Sequence, residues 1–160
     1  MKGAAMIVRE DDLTHPATRA LLRQHLEGMR EATPQGHVFA LDLAGLAAPE
    51  VTVWSAWRDD DILGIGALRR LDAVSGEVKS MRTHPDHLRE GVGAAILECV
   101  IDRARELGLG RLSLETGVGP AFEAAVALYV RRGFRPGAAF GGYAKSPFNR
   151  FLHLDLANTA

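Results

Sequence analysis

The chain has a single cysteine, Cys99, among its 160 residues, so no internal disulfide is possible and a reducing, cytoplasmic setting is expected. It also lacks a charge imbalance. Its 19 Lys and Arg against 20 Asp and Glu give a formal net charge of −1. That argues against broad electrostatic binding to nucleic acid or an anionic membrane. No apolar run approaches the ~18 residues of a membrane-spanning helix. The opening MKGAAMIVREDDL has too short an apolar stretch for a signal peptide. Internal repeats and low-complexity tracts are missing too. The histidines are scattered without metal-ligand spacing. What remains is a composition of 47% apolar and 24% charged residues. This suits one packed domain spanning residues 1–160.

Periodicity divides that domain into alternating elements. Met6–Arg9 is a short apolar run that opens a sheet. A helix follows, with Thr14 as its cap and Pro16 in its first turn, ending near Gly28. Pro34, Gly36 and Pro49 interrupt the next segment, within which residues 41–48 suit a short helix. Val51–Trp57 and Ile62–Leu71 read as a hairpin around the polar turn Asp59-Asp60-Asp61. Glu77–Thr83 is a further strand. Strict alternation puts Val78, Ser80 and Arg82 on one of its faces and Glu77, Lys79, Met81 and Thr83 on the other. A helical pattern covers Val92–Leu107, with Gly108 as its C-terminal cap. Cys99 lies on its apolar side, as an inert thiol. Arg111–Thr116 is a strand, Pro120–Arg132 a helix ended by Gly133, and Arg150–Leu156 a last strand. The order β-α, hairpin, β-α-β-α-β describes an α/β layered domain with a parallel crossover.

The most informative stretch is His-Pro-Asp-His-Leu-Arg-Glu-Gly-Val-Gly-Ala, residues 84–94, between strand and helix. Gly91 and Gly93 let the backbone approach a ligand closely. The helix N-terminus supplies unpaired N–H groups and the positive end of the dipole. Strand, glycine turn and helix start together form an anion site, most often for phosphate. Ile96 replaces the third glycine of a dinucleotide fingerprint, and no Gly-Lys-Ser/Thr follows to make a P-loop. Taken alone, the turn is equally compatible with a tight connection that binds nothing.

A second block, Ala125-Val126-Ala127-Leu128-Tyr129-Val130-Arg131-Arg132-Gly133-Phe134, comes one crossover later. With the turn Leu88-Arg89-Glu90-Gly91-Val92-Gly93 it resembles the GNAT superfamily of N-acetyltransferases. There, an Arg/Gln-x-x-Gly-x-Gly/Ala turn precedes a helix reading Ala-x-x-Leu-Tyr-x-x-x-Gly-Phe. The resemblance covers roughly residues 76–134. It implies a mixed, mostly antiparallel central sheet with a parallel pair at the cofactor site and helices on both faces. It also implies acetyl-CoA as co-substrate, with no metal. Backbone N–H groups of Arg89, Glu90, Gly91, Val92, Gly93 and Ala94 would hold the pyrophosphate. Met81, Arg82 and Thr83 would lie along the pantetheine arm. Two positions depart from the pattern: Leu88 stands where Arg or Gln is usual, leaving Arg89 one place later, and Phe122 stands where an Asn usually contacts the arm.

By the same resemblance Tyr129 is the general acid beside the coenzyme sulfur, and a backbone N–H near Met81–Thr83 meets the oxyanion. Glu77 and Glu115, on strands flanking the site, are candidate general bases, since partial desolvation raises a carboxyl's pKa. Water or deprotonation in bulk is the alternative. The aromatic, glycine-rich tail offers Tyr143, Asn149 and Arg150 as acceptor contacts, the last suited to a carboxylate. The implied activity is acetyl transfer to a primary amine of a small molecule, directly in a ternary complex. The alternatives are a non-catalytic acyl-CoA sensor and a protein N-acetyltransferase. An exposed strand edge near the C-terminus would support a homodimer.

Overall fold

A computed structural model describes residues 5–32 and 43–156; Pro34, Gly36 and His37 lie outside them. Among the described residues seven strands form one sheet in the order β1-β2-β3-β4-β5-β7-β6. They are β1 (Ile7–Glu10), β2 (Val51–Arg58), β3 (Asp61–Arg70), β4 (Ser75–Thr83), β5 (Arg111–Gly117), β6 (Arg135–Pro136) and β7 (Asn149–Asp155). The helices are α1 (Pro16–Ala32), α2 (Leu43–Leu46), α3 (Val92–Glu106) and α4 (Glu123–Arg132). All neighbouring strands are antiparallel except β4 and β5, the pair joined by the α3 crossover. The mixed sheet anticipated above is therefore present. Among the described residues no helix is long and apolar enough to cross a membrane.

Each face of the sheet has its own core. Ile96, Val100 and Ile101 of α3, with Tyr129 of α4, pack with Phe134 on Val78, Leu112, Leu114, Leu152 and Leu154. On the opposite face Leu21 and Leu22 of α1 and Leu46 of α2 cover Val53, Trp57, Ile65 and Ala67. Trp54 and Trp57 divide between the two clusters, both buried.

Local chemistry moves some boundaries. The helix α1 is capped by His15, whose Nδ1 accepts from Ala17 N at 3.0 Å, while Thr14 turns back to Asp12. It also continues past Gly28 to Ala32. A helix-interior glycine costs only about 1 kcal/mol, and Met29, Arg30, Glu31 and Ala32 beyond it favour helix. Alternation in β4 breaks at Ser80, which adopts φ +57 inside a register shift against β3. Such a bulge reverses every side chain after it. Met81 therefore packs with Ile96 on the α3 face, away from Glu77 and Lys79. The two-residue β6 has no periodic signal in the sequence; its pairing to His153 and Leu152 defines it.

One polar cluster ties β1, β2 and α1 together. Asp11 accepts from Leu13 N (2.7 Å), Thr18 Oγ1 (2.9 Å) and Ser55 Oγ (2.6 Å), and Ser55 Oγ accepts from Trp57 Nε1 (2.7 Å). Thr18 and Ser55 are fully buried. Asp11→Ala would strand both hydroxyls, and each such buried polar group costs about 1–3 kcal/mol. Chemical denaturation should register a loss of about 2–4 kcal/mol, with Asp11→Asn recovering part of it.

Candidate active site

The parallel pair β4–β5 is short. Pairing covers Ser75↔Arg111, Gly76↔Leu112 and Glu77↔Ser113, and then stops. Residues 78–83 and 114–117 continue as strands with no ladder partner on their facing edges among the described residues. Unpaired strand edges present rows of N–H and C=O groups that an extended ligand can pair with. At the far end of this opening stands the glycine turn.

The turn departs from β4 through a 3₁₀ turn, Pro85–His87, capped by His84 Nδ1, which accepts from Asp86 N at 3.1 Å. Arg89 (φ +64) and Gly91 (φ +83) are both left-handed, and Gly91 caps α3. None of the N–H groups of residues 89–94 donates a hydrogen bond among the described residues. A cradle of free amides at a helix N-terminus fits a pyrophosphate. Leu88, at the position where the resemblance expects Arg or Gln, is exposed, so the cradle rests on main chain. Glu90, carrying negative charge in this anion site, is bound by Arg58 at 2.8 Å and lies 3.4 Å from His87 Nδ1. The Arg58 guanidinium holds its carboxyl below the usual range.

Phe122 has a defined place. Its ring lies over Gly117, so closely that a Cβ there would collide with it. It thus covers the end of β5 at the mouth of the opening, an apolar contact where the family pattern has an amide. Tyr129 is buried on the α3 side of the sheet, edge-to-face with Phe134 at 5.6 Å. Its hydroxyl makes no hydrogen bond among the described residues. Burial pushes the phenol well above its ordinary value and keeps it protonated.

The other face carries a buried polar chain. Tyr143 Oη donates to Glu77 Oε2 (2.5 Å) and accepts from Lys79 Nζ (2.5 Å), and Lys79 lies 3.4 Å from Glu77. Glu77 is 2% exposed. Burial lowers the Lys79 ammonium, against the opposing pull of Glu77. Burial raises the Tyr143 hydroxyl, and its bond to Glu77 adds to the shift. Glu115 stands two residues past the last β4–β5 pair and is half-buried. Burial raises its carboxyl, while the hydrogen bond from Asn149 Nδ2 (3.2 Å) acts to lower it. Asn149 also donates to Ala144 O and accepts from Ser146 N, fixing the loop that carries Tyr143.

Of the sequence candidates, Glu77, Glu115, Tyr143 and Asn149 therefore converge on one face. Arg150 does not join them. It is exposed and, being adjacent to Asn149 in β7, shares the opposite face with Leu152 and Leu154. Lys79 joins the cluster as well, a site residue that its spacing of two from Glu77 on one strand face could have signalled. Cys99 is half-buried, and burial raises its thiol, as suits an inert position.

An antiparallel sheet split open at one parallel pair, with an amide cradle beside the split, defines a coenzyme A-dependent acyltransferase fold. Residues 16–134 match the family model "Acetyltransferase (GNAT) family". The chain is 45% identical to the N-acetyltransferase YedL of Escherichia coli over 93% of its length and 94% of that protein. It is 42% identical to the N-acetyltransferase YsnE of Bacillus subtilis, over 94% of this chain and all of that one. The fold superposes on a GNAT family acetyltransferase from Elizabethkingia anophelis, crystallised with acetyl-CoA bound, with a TM-score of 0.69 and 18% identity, covering 94% and 98% of the two chains. The chain belongs to the GNAT acetyltransferase family and is an acetyl-CoA-dependent acyltransferase.

Proposed function

We propose that the protein transfers an acetyl group from acetyl-CoA to a primary amine of a small molecule, by direct transfer in a ternary complex. The observation that carries this reading is the parting of β4 and β5. Beyond that point the two strands are unpaired, with Tyr129 packed on one face of the sheet and Glu115 on the other. When bound, acetyl-CoA supplies the acetyl thioester. The amides of residues 89–94 would hold its pyrophosphate, and the free edge at Met81–Thr83 would pair with its pantetheine arm. An N–H of that edge meets the charge developing on the carbonyl oxygen. Tyr129 donates the proton that accompanies cleavage of the C–S bond. Glu115 accepts the proton the acceptor's ammonium must lose before its nitrogen forms the new C–N bond.

Glu115 is the better base of the two glutamates. Glu77 is already committed to Tyr143 and Lys79, and serves to fix Tyr143 and the loop above the site. Among the described residues Glu115 has one hydrogen-bond partner, Asn149, and burial raises its carboxyl. Glu115→Gln should lower turnover about 100-fold while calorimetric acetyl-CoA affinity stays within about twofold. It also has a signed effect on stability. A carboxyl whose folded pKa exceeds its ordinary 4.5 binds protons more tightly when folded, so stability falls as pH rises through that interval. Glu115→Gln removes this decline, so from acidic to neutral pH the melting temperature should change more favourably in the variant than in wild type. Undiminished turnover in Glu115→Gln would return the base role to water. Acetyl-CoA binding with no thiol release on any amine would favour an acyl-CoA sensor.

A further inference from the structure

Beside the free end of β4, on the face shared by Glu115 and Tyr143, lies a cavity of about 480 Å³ between α1 and the sheet. Leu21 and Ile62 give it an apolar wall, and Arg23, Gln24 and His84 give it polar edges. No carboxylate among the described residues lines it. His84 Nδ1 already accepts from Asp86 N, so the neutral ring carries its proton on Nε2; the Asp86 carboxylate is 4.0 Å from that Nδ1. Two residues before His84, past the Ser80 bulge, Arg82 is on the same face, outside the cavity's immediate lining and paired across to Ile65. Its Nε is shielded from solvent and has no hydrogen-bond partner, and neither Arg82 nor Arg23 has an ion-pair partner among the described residues. An unsatisfied buried donor on a permanent cation is costly, and such groups are retained where an anionic partner arrives. Planar guanidinium donors match a carboxylate.

We infer that this cavity receives a carboxylate of the acceptor, so that the acceptor is a small amine that is also an acid, held by Arg23, Arg82 and His84. The inference rests on the acetyl-transfer reading above. It adds the charge of the substrate's other end. The geometry sets its size. A carbonyl held beside Met81–Thr83 is one to three residues from His84, roughly 3–10 Å along a strand. That is the span between nitrogen and carboxylate in short α- and ω-amino acids. The apolar wall of Leu21 and Ile62 then favours an uncharged side chain over a second charge.

The test compares common α- and ω-amino acids with their carboxamides, measured by thiol release from acetyl-CoA. Wild type should prefer the acids by about tenfold or more in kcat/KM, and Arg82→Gln and Arg23→Gln should each erase most of that preference through KM for the acid. Carboxamides used as well as acids, or a preference that survives both substitutions, would overturn the subsite. Acetylation confined to uncharged or polycationic amines would overturn it as well while leaving acetyl transfer intact. If no acceptor releases thiol, the transfer reading fails. Calorimetric titration of the same acids into acetyl-CoA-loaded protein then decides the subsite, because binding of acids over carboxamides that is lost in Arg82→Gln upholds it and equal binding refutes it.

Discussion

Tyr129→Phe is expected to lower turnover about 100- to 1,000-fold, the usual worth of a positioned proton donor. The substitution deletes only an oxygen. The ring keeps its place against Phe134 and in the cluster with Val100 and Ile101, so the fold should melt within a degree or two of wild type. The hydroxyl makes no bond among the described residues, so its removal leaves no partner unsatisfied. A loss of rate without a loss of stability or of acetyl-CoA affinity therefore reports on chemistry alone. The pH profile carries a second signature. Burial holds the phenol protonated far above neutrality, so Tyr129 contributes no falling limb below pH 10, and a rate rising with pH reports deprotonation of Glu115 and the amine. Full activity in the variant would remove Tyr129 from the reaction and leave protonation of the thiolate to water.

The legible parts of this protein are those whose signal is local. A left-handed glycine before an amphipathic helix, and a tyrosine four residues into the stretch Ala125…Phe134, are written in short stretches, and each landed on its element. Period two placed Glu77 beside Lys79. What the sequence hid depends on register. Nothing in Ser80 announces a bulge, since the left-handed region is foreign to most side chains and the cause lies in pairing with β3. That one residue sends Met81 to the α3 face and Arg82 to the acceptor face. Arg150 parts from the other candidates for a related reason. Once β7 begins at Asn149, adjacent residues 149 and 150 must face opposite ways. The position of Tyr143 follows from a loop anchored by Asn149 and by Glu77, a contact 66 residues away in sequence, which no periodicity encodes. Glu90 shows how a local reading can be chemically incomplete. An acid inside an anion cradle looks unfavourable until Arg58, from β2, is found beside it.

Gly64→Ala should damage both the fold and cofactor binding, because it sits where they meet. Gly64 pairs with Thr83 at the end of β4. A methyl group there would stand 2.6 Å from Val92 Cγ1 and 2.9 Å from the carbonyl oxygen of Arg82. The first contact is a side chain at the start of α3; the second is backbone and cannot rotate away. Either β4 or the N-terminus of α3 must therefore shift, and these are the two elements that frame the amide cradle. Overpacking of this kind costs about 1–3 kcal/mol. At roughly 2–4 °C per kcal/mol for a chain of this size, thermal melting should fall by about 3–10 °C. Calorimetric acetyl-CoA affinity should drop about tenfold, equivalent to ~1.4 kcal/mol, since the amides of residues 89–94 act only when aimed together. Gly91 makes the contrast. A Cβ there meets nothing within 4 Å, so Gly91→Ala pays only for its φ of +83, about 1–2 kcal/mol of local strain. Both substitutions add one methyl near the same turn, but only Gly64→Ala forces two elements apart. If it bound acetyl-CoA as tightly as wild type, the packing of β3 against α3 and β4 would not be what holds the cradle in shape.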